Sequence, residues 1–206
     1  MQTFNFLQEY ILENERVRLQ PMHQIDIDKL QVFSVEQPEI WKYSLQPANG
    51  LENLKSYMET ALLSKKEEKS YPFIVFDKRS QQIAGSTRFY DFQKNQKTVQ
   101  IGYTWYGKEF QGTGVNKQCK MLLLDFAFEE LGIERVEFRA DARNERSIAG
   151  MKSIGCKVEG ILRSNCVTQE GRRDSIILSI LRDEWFGGVK EKLQSKIEKE
   201  KIISVQ

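Results

Sequence analysis

An α/β fold is predicted by three features of the sequence. Between Val99 and Leu131 a β-branched and aromatic run, a glycine loop and a long amphipathic stretch follow one another, the order of a strand entering a helix through a tight turn. A second β-rich run, Arg135 to Ala140, comes just after Gly132, a natural helix C-cap, so it enters parallel to Val99–Tyr106 across a right-handed crossover. Hairpin patterns before and after this unit supply antiparallel strands. With 206 residues, 40% hydrophobic and 29% charged, the chain suits one domain of this class with an ample core.

The elements follow in order. Met1 to Glu13 reads as a docking segment, because Phe4, Phe6, Leu7, Tyr10 and Ile11 offer apolar contacts that a solvated tail does not need. Arg16 to Leu19 alternates like a short strand, and His23 to Val35 reads as a helix carrying Ile25, Ile27, Leu30, Val32 and Phe33. Trp41 is a wedge within Pro38–Tyr43, and Pro47, Asn49 and Gly50 mark a loop. Leu51 to Lys66 places Leu51, Leu54, Tyr57, Met58, Ala61 and Leu62 on one face, a helix for packing on a sheet. Tyr71–Phe76 and Ile83–Phe92, joined by a polar turn, form the first hairpin, and Gln93–Lys97 turns into the Val99 strand.

That strand contains Gly102, which marks a bulge or a close backbone approach. The helix after the loop carries Val115, Cys119, Leu122, Leu123, Phe126 and Ala127 at spacings of three and four, a stripe that lies against a sheet. Asn144-Glu145-Arg146-Ser147 opens a further helix ending at Gly155. Cys156–Val167 and Arg172–Leu181, turning at Gln169-Glu170-Gly171, close the sheet as the second hairpin. Residues 1–186 are thus expected to form the domain. Residues 187–206 form a charged helical tail in which Val189, Leu193 and Ile197 fall at heptad-like intervals, for packing weakly on the domain or on a second copy in a homodimer.

Composition narrows the function. The formal net charge is +2 with both signs interleaved, so nothing asks for nucleic acid or an acidic membrane as partner. Apolar runs are short, and the first residues are acidic without a cleavable signal pattern, so the chain is expected to be neither membrane-spanning nor secreted but cytoplasmic. Cys119, Cys156 and Cys166 are widely separated, which argues against a disulfide framework and a zinc site, and a single His23 supplies no metal cluster.

The loop Gln111-Gly112-Thr113-Gly114-Val115-Asn116 carries the chemistry. Its glycines let the backbone turn sharply at the positive end of a helix dipole, where N–H groups point one way and stabilise a phosphate or pyrophosphate. A nucleotide P-loop needs a lysine where Thr113 stands, and a dinucleotide loop needs a third glycine where Lys117 stands. The pattern Gln111-x-x-Gly114-x-Asn116 instead resembles the acyl-CoA loop of the GNAT superfamily of N-acetyltransferases: Arg or Gln, two residues, Gly, one residue, then Gly or Ala. Asn116 departs from the last letter.

Asn144, Ser147, Gly150, Met151 and Gly155 match the spacing of that superfamily's second motif, an asparagine followed by Ala, Leu-Tyr and Gly-Phe. Together with IGYTW, QGTGVN, NERS, EGILR and ILRDEW they look like the branch that contains the ribosomal-protein N-acetyltransferases, over roughly Arg16 to Trp185. The fold this resemblance implies is one mixed, twisted sheet with helices on both faces, splayed between the Val99 and Arg135 strands.

The resemblance also implies a reaction. An amine, of a protein N-terminus or a small molecule, attacks the thioester of acetyl-CoA directly, and backbone N–H groups near Trp105 and Tyr106 face the oxyanion. Gln111 to Asn116 hold the pyrophosphate, Asn144 bonds the pantetheine arm, and Lys117 or Lys120, at positions where lysines are more often simply solvated, approaches the adenosine phosphate. Most members carry a tyrosine that protonates the thiolate where this chain has Met151, which cannot donate. In the ribosomal-protein branch a serine at the place of Ser147 serves instead. Gln100 stands where many relatives have glutamate, and Ser164-Asn165-Cys166 offers no carboxylate, so the general base is unassigned. Tyr90, Tyr103, Trp41 and Trp105 are candidates for an acceptor pocket as well as for core. With the phenol and carboxylates missing, a catalytically weak acyl-CoA-binding or sensor module is the alternative.

Overall fold

The computed structural model describes residues 4–168 and 171–203. Strand β1 (Leu12–Glu13) and β2 (Val17–Pro21) lead through a 3-10 turn at Gln24–Asp26 into α1 (Ile27–Glu36), and α2 spans Leu51–Lys66. Then come β3 (Ser70–Asp77), β4 (Gln82–Gln93), β5 (Thr98–Tyr106), α3 (Val115–Asp125), β6 (Arg135–Asp141), α4 (Glu145–Ser153), β7 (Lys157–Thr168), β8 (Gly171–Leu181) and α5 (Lys190–Ile203). The strands make one sheet in the order β1-β2-β3-β4-β5-β6-β8-β7. All neighbours are antiparallel except β5 and β6, the parallel pair expected across the α3 crossover.

Successive residues Phe73, Ile74 and Val75 of β3 are all excluded from solvent, so both faces of the sheet are covered. Helix α1 packs on α2, and α3 packs on α5. Leu54, Tyr57, Met58 and Ala61 of α2 are buried, as their spacing requires, whereas Leu51 at the first turn stays exposed. In α1 only Leu30 and Phe33 of the apolar residues turn fully inward. Val32 and Val35 lie outside, and Ile25 is exposed on the preceding 3-10 turn, because a helical period cannot direct such closely spaced residues to one face. The N-terminal segment docks through Phe4, Phe6 and Tyr10 against Phe92 and Phe126, while Leu7 and Ile11 face solvent.

Two details shape the site. Strand β5 carries a bulge: Ser86 pairs with Trp105 and Arg88 with Gly102, so Tyr103 and Thr104 lie opposite Thr87 alone, and Tyr103 adopts a left-handed φ of +48°. Gly102 also meets a close approach, since a Cβ there would lie 2.8 Å from the ring of Tyr90. Helix α3 ends in a π-helical turn, Phe126–Glu130, and Gly132 with φ +65° closes it before β6. The reading of a turn at Gln169-Glu170-Gly171 falls partly on residues 169 and 170, outside the described residues, and Gly171 opens β8.

Past β8 the chain turns at Arg182–Glu184, kinks at Gly188 and enters α5. Trp185 is fully buried and stacks on Phe128, with ring centroids 5.6 Å apart. Leu193 and Ile197 of α5 join the main core, and Lys190 pairs with Asp125 of α3 at 2.7 Å. The tail helix therefore contributes burial to the same core as the sheet. Leu193→Ala is expected to cost about 2–5 kcal/mol, the range for deleting a buried leucine side chain, read as a lower midpoint of the single main transition in chemical denaturation. An unchanged midpoint would show that α5 unfolds independently.

Candidate active site

Strands β5 and β6 are paired only at Thr98–Arg135, Val99–Val136 and Gln100–Glu137. Beyond Gln100 they separate, so the β6-facing edge of β5 has no strand partner from Ile101 to Tyr106. A cavity of about 670 Å³ occupies this opening, within the usual size of a small-molecule site. It lies at the carboxyl ends of the parallel strands, where open α/β sheets bind ligands.

Most of the residues singled out in the sequence converge on this cavity. Trp105, Tyr106, Gln111, Gly112, Gly114, Asn116, Asn144 and Ser147 all line it. Thr113 and Val115 do not: the Thr113 hydroxyl donates to the Phe110 carbonyl at 2.7 Å, and the Val115 side chain is fully buried in the core. Gly114 is the residue before α3 and holds a φ of +87°, which turns the loop so that the first N–H groups of α3 face outward. Gln111 ties the loop to both sides of the opening. Its amide N–H donates to the Tyr106 carbonyl at 2.8 Å, and its oxygen accepts from Arg146 on α4. Asn116 reaches the same helix, with its amide nitrogen 3.8 Å from the position a Cβ on Gly150 would take.

Asn144 caps α4, its side-chain oxygen accepting from the Ser147 N–H at 3.1 Å. That bond fixes the rotamer of Asn144 and leaves its amide nitrogen for other partners. One turn further on, Met151 is buried in the cavity wall. The two lysines of α3 part company. Lys117 pairs with Glu200 of α5. Lys120, for which the sequence offers a solvated position or the adenosine phosphate, is instead buried and turned into the cavity, where its Nζ donates to the Thr104 hydroxyl at 2.9 Å. Burial alone drives its pKa down to about 8.

The other end of the cavity is aromatic. Trp41 and Trp105 pack with ring centroids 4.6 Å apart, and the Trp105 indole N–H donates to the Tyr57 hydroxyl at 3.3 Å, so both tryptophans serve the core and the wall at once. Tyr90, whose hydroxyl burial pushes upward, packs edge-on against the half-exposed Tyr103. Gln100 does not stand alone: its amide N–H donates to Asp91 at 2.6 Å, which places a carboxylate on this wall directly after the β4 tyrosine, Tyr90. Arg173 of β8, absent from the sequence reading, is buried in the wall and donates to the Tyr43 carbonyl at 3.2 Å. Nothing in a hairpin sequence distinguishes such an arginine from a solvated one. Cys166 donates to the Asn165 side chain at 2.9 Å, with Ser175 at 3.9 Å. Among the described residues no cluster of three histidines, cysteines or carboxylates is placed to hold a metal ion, and no helix is long and apolar enough to cross a membrane.

The comparisons with known proteins bear on this geometry. The sequence profile of the acetyltransferase (GNAT) domain matches residues 16–157. The chain is 32% identical over 105 residues to the "Putative ribosomal N-acetyltransferase YdaF" of Bacillus subtilis (strain 168), a match covering 51% of this chain and 57% of that protein. It is 25% identical over 177 residues to the uncharacterized N-acetyltransferase p20 of Bacillus licheniformis, covering 85% of this chain and 98% of p20. In three dimensions it superposes on the microcin C7 self-immunity acetyltransferase MccE, solved in complex with acetyl-CoA and AMP, with a TM-score of 0.71 and 22% identity over 82% of this chain and 93% of that one.

The floor of the cavity makes one prediction independent of any ligand. Asp141 at the end of β6 is buried, and Arg143 donates to it from both the backbone N–H, at 2.9 Å, and the guanidinium, at 2.9 Å, holding the carboxyl below its ordinary value. A carboxyl lowered in the folded state contributes stability that is complete above its unfolded pKa of about 3.9 and is lost as pH falls through the folded value. Arg143→Ala is therefore expected to move the acid-unfolding midpoint, followed by tryptophan fluorescence, to higher pH. No movement would mean that the pair does not hold the proton off Asp141.

Proposed function

Since the chain belongs to the GNAT acetyltransferase family and is an acetyl-CoA-dependent N-acetyltransferase, we propose that its acceptor is a primary amine, that of a protein N-terminus or a small molecule, attacking the thioester directly in the opening between β5 and β6. The observation that carries this reading is the convergence of the glycine loop, the unpaired edge of β5 and the start of α4 on one cavity. The name of YdaF, a putative ribosomal N-acetyltransferase, favours a ribosomal acceptor among these. The reaction belongs to the cytoplasm.

In this reading the loop Gln111–Asn116 and the N-terminus of α3 hold the pyrophosphate of acetyl-CoA, since oriented N–H groups at the positive helix end stabilise it. The free amide nitrogen of Asn144 bonds the pantetheine arm. Backbone N–H groups of β5 at Trp105 and Tyr106 face the thioester oxygen as it gains charge. The neutral amine forms a C–N bond, the C–S bond breaks, and the sulfur leaves with the electron pair, taking a proton relayed by the Ser147 hydroxyl. Met151 makes the wall there apolar and donates nothing. That same methionine supports the second reading, an acyl-CoA sensor with weak turnover.

Acetyl-CoA, but neither ATP nor NAD, is expected to raise the melting temperature, by the equivalent of about 2.7 kcal/mol at a hundredfold excess over Kd. Equal stabilisation by ATP would sink the assignment. Gly114→Val places a β-branched residue at positive φ and is expected to abolish most of that stabilisation while costing the apo fold only about 1–2 kcal/mol. Ser147→Ala is expected to lower kcat about 10²-fold or more without changing acetyl-CoA affinity. Binding with no turnover against any amine of a peptide and polyamine panel would select the sensor.

A further inference from the structure

Among the described residues Lys120 is the one buried lysine, alongside the buried arginines Arg88 and Arg173. It is 4% exposed, and it forms no ion pair among the described residues. Its Nζ donates to Thr104 on β5 at 2.9 Å and more weakly to Thr87 on β4 at 3.4 Å, and these two hydroxyls lie 2.7 Å from each other. It also lies 5.9 Å from the ring centroid of Phe138 on β6. Thr104 and Phe138 both lie beyond the last paired positions of β5 and β6, Gln100 and Glu137. The ammonium thus sits between the parted strands, inside the cavity, beside the residue that precedes Trp105.

A buried cation without a carboxylate is unfavourable unless something compensates it, and the fold contributes only neutral groups here. The titratable groups acting on it are Cys119 on its own helix and Cys156 before β7, and burial pushes both thiols up to about 12, so they are uncharged at neutral pH. Thr87, Thr104 and Phe138 complete the surroundings. The carboxylates lining the cavity, Asp91 and Asp141, are bonded to Gln100 and Arg143 rather than to this ammonium, and a further negative charge arises next to Trp105 during reaction, when the thioester carbonyl becomes an oxyanion.

We propose that Lys120 is a catalytic residue whose ammonium stabilises the tetrahedral oxyanion, supplying the charge that backbone N–H groups of β5 alone do not. This rests on the reading that the thioester lies along Trp105 and Tyr106. In the step, the amine lone pair forms the C–N bond and the carbonyl π pair moves to oxygen, held by the Nζ–H of Lys120. The pair then returns, the C–S bond breaks, and the proton given up by the attacking nitrogen is relayed through the Ser147 hydroxyl to the departing thiolate. Lys120 keeps its own proton throughout. The group works only when charged, and a lysine of pKa about 8 loses that charge in mildly basic solution. Because folding lowers this pKa, the buried charge destabilises the fold fully below about pH 8, and the penalty fades as pH rises toward the unfolded value near 10.4.

The test is acetyl transfer to hydroxylamine, an amine already neutral above neutral pH, measured from about pH 7 to 10 for wild type, Lys120→Met and Lys120→Arg. Acetyl-CoA affinity by tryptophan quenching and melting temperature are recorded alongside. Wild-type kcat is expected to fall along a one-proton limb near pH 8. Lys120→Met is expected to lose about 10²- to 10³-fold in kcat, the range for an oxyanion donor, and to lose the limb. It should bind acetyl-CoA as wild type does and melt no lower. Lys120→Arg, whose charge does not titrate, is expected to hold its rate across the range, and it decides the matter if the methionine variant fails to fold. A Lys120→Met protein as active as wild type, a flat wild-type profile, or a limb near pH 8 that survives in Lys120→Arg would overturn the proposal while leaving acetyl-CoA binding and the family reading intact. Wild type that does not bind acetyl-CoA overturns both.

Discussion

The parting of β5 from β6 is the constraint on which the rest of the site depends. Two parallel strands that stayed in register would satisfy each other's N–H and C=O groups along their length and leave no opening. Here the register stops at Gln100 and Glu137, and three residues later β5 carries its bulge at Tyr103 and Thr104. A bulge bends the strand and strengthens its twist, so β5 stays in the sheet through β4 while its other edge swings free. Tyr103 takes up the left-handed backbone this needs, an uncommon conformation for a bulky residue that persists because β4 holds the strand on both sides of it.

Everything lining the opening answers to that unpaired edge. Gln111 reaches back to the Tyr106 carbonyl, the last carbonyl of β5, and forward to Arg146, so the glycine loop is fixed to the strand it leaves and to the helix that faces it. The left-handed turn at Gly114 then sets the direction of α3, and with it the N–H groups suited to a pyrophosphate. Asn144 sits at the same opening, where its side-chain oxygen caps α4 and its amide nitrogen takes no part in the cap.

The cavity also concentrates polar groups that a core would exclude. Lys120, Arg173 and Gln100, the last bonded to the exposed Asp91, are all withdrawn from solvent on its walls. Each costs desolvation that only partly returns through hydrogen bonds. A sheet covered on both faces, with Trp185 and Phe128 stacked beneath α3 and α5, has enough apolar burial to offset that cost.

The sequence by itself determined the order of strands and helices, because that rests on local periodicity and turn residues: α2 spans Leu51–Lys66 as its stripe predicts, Gly132 closes the crossover, and Gly102 marks the bulge. It also determined the glycine loop and the asparagine of α4, since a run of glycines before a helix and a helix cap are local signals. What it did not contain is which side chains meet across the opening. Lys120 lies one helical turn beyond Asn116 on a helix whose polar face reads as solvated, and only the separation of β5 and β6 brings Thr104 and Phe138 around its ammonium. Gln100 reads as a lost carboxylate until the fold of β4 lays Asp91 against it. Arg173 enters the wall from an edge hairpin, and Leu193 and Ile197 join the core from a tail of ordinary charge pattern. Each of these contacts joins residues distant along the chain, and local propensity carries no information about pairs that only the packed sheet makes neighbours.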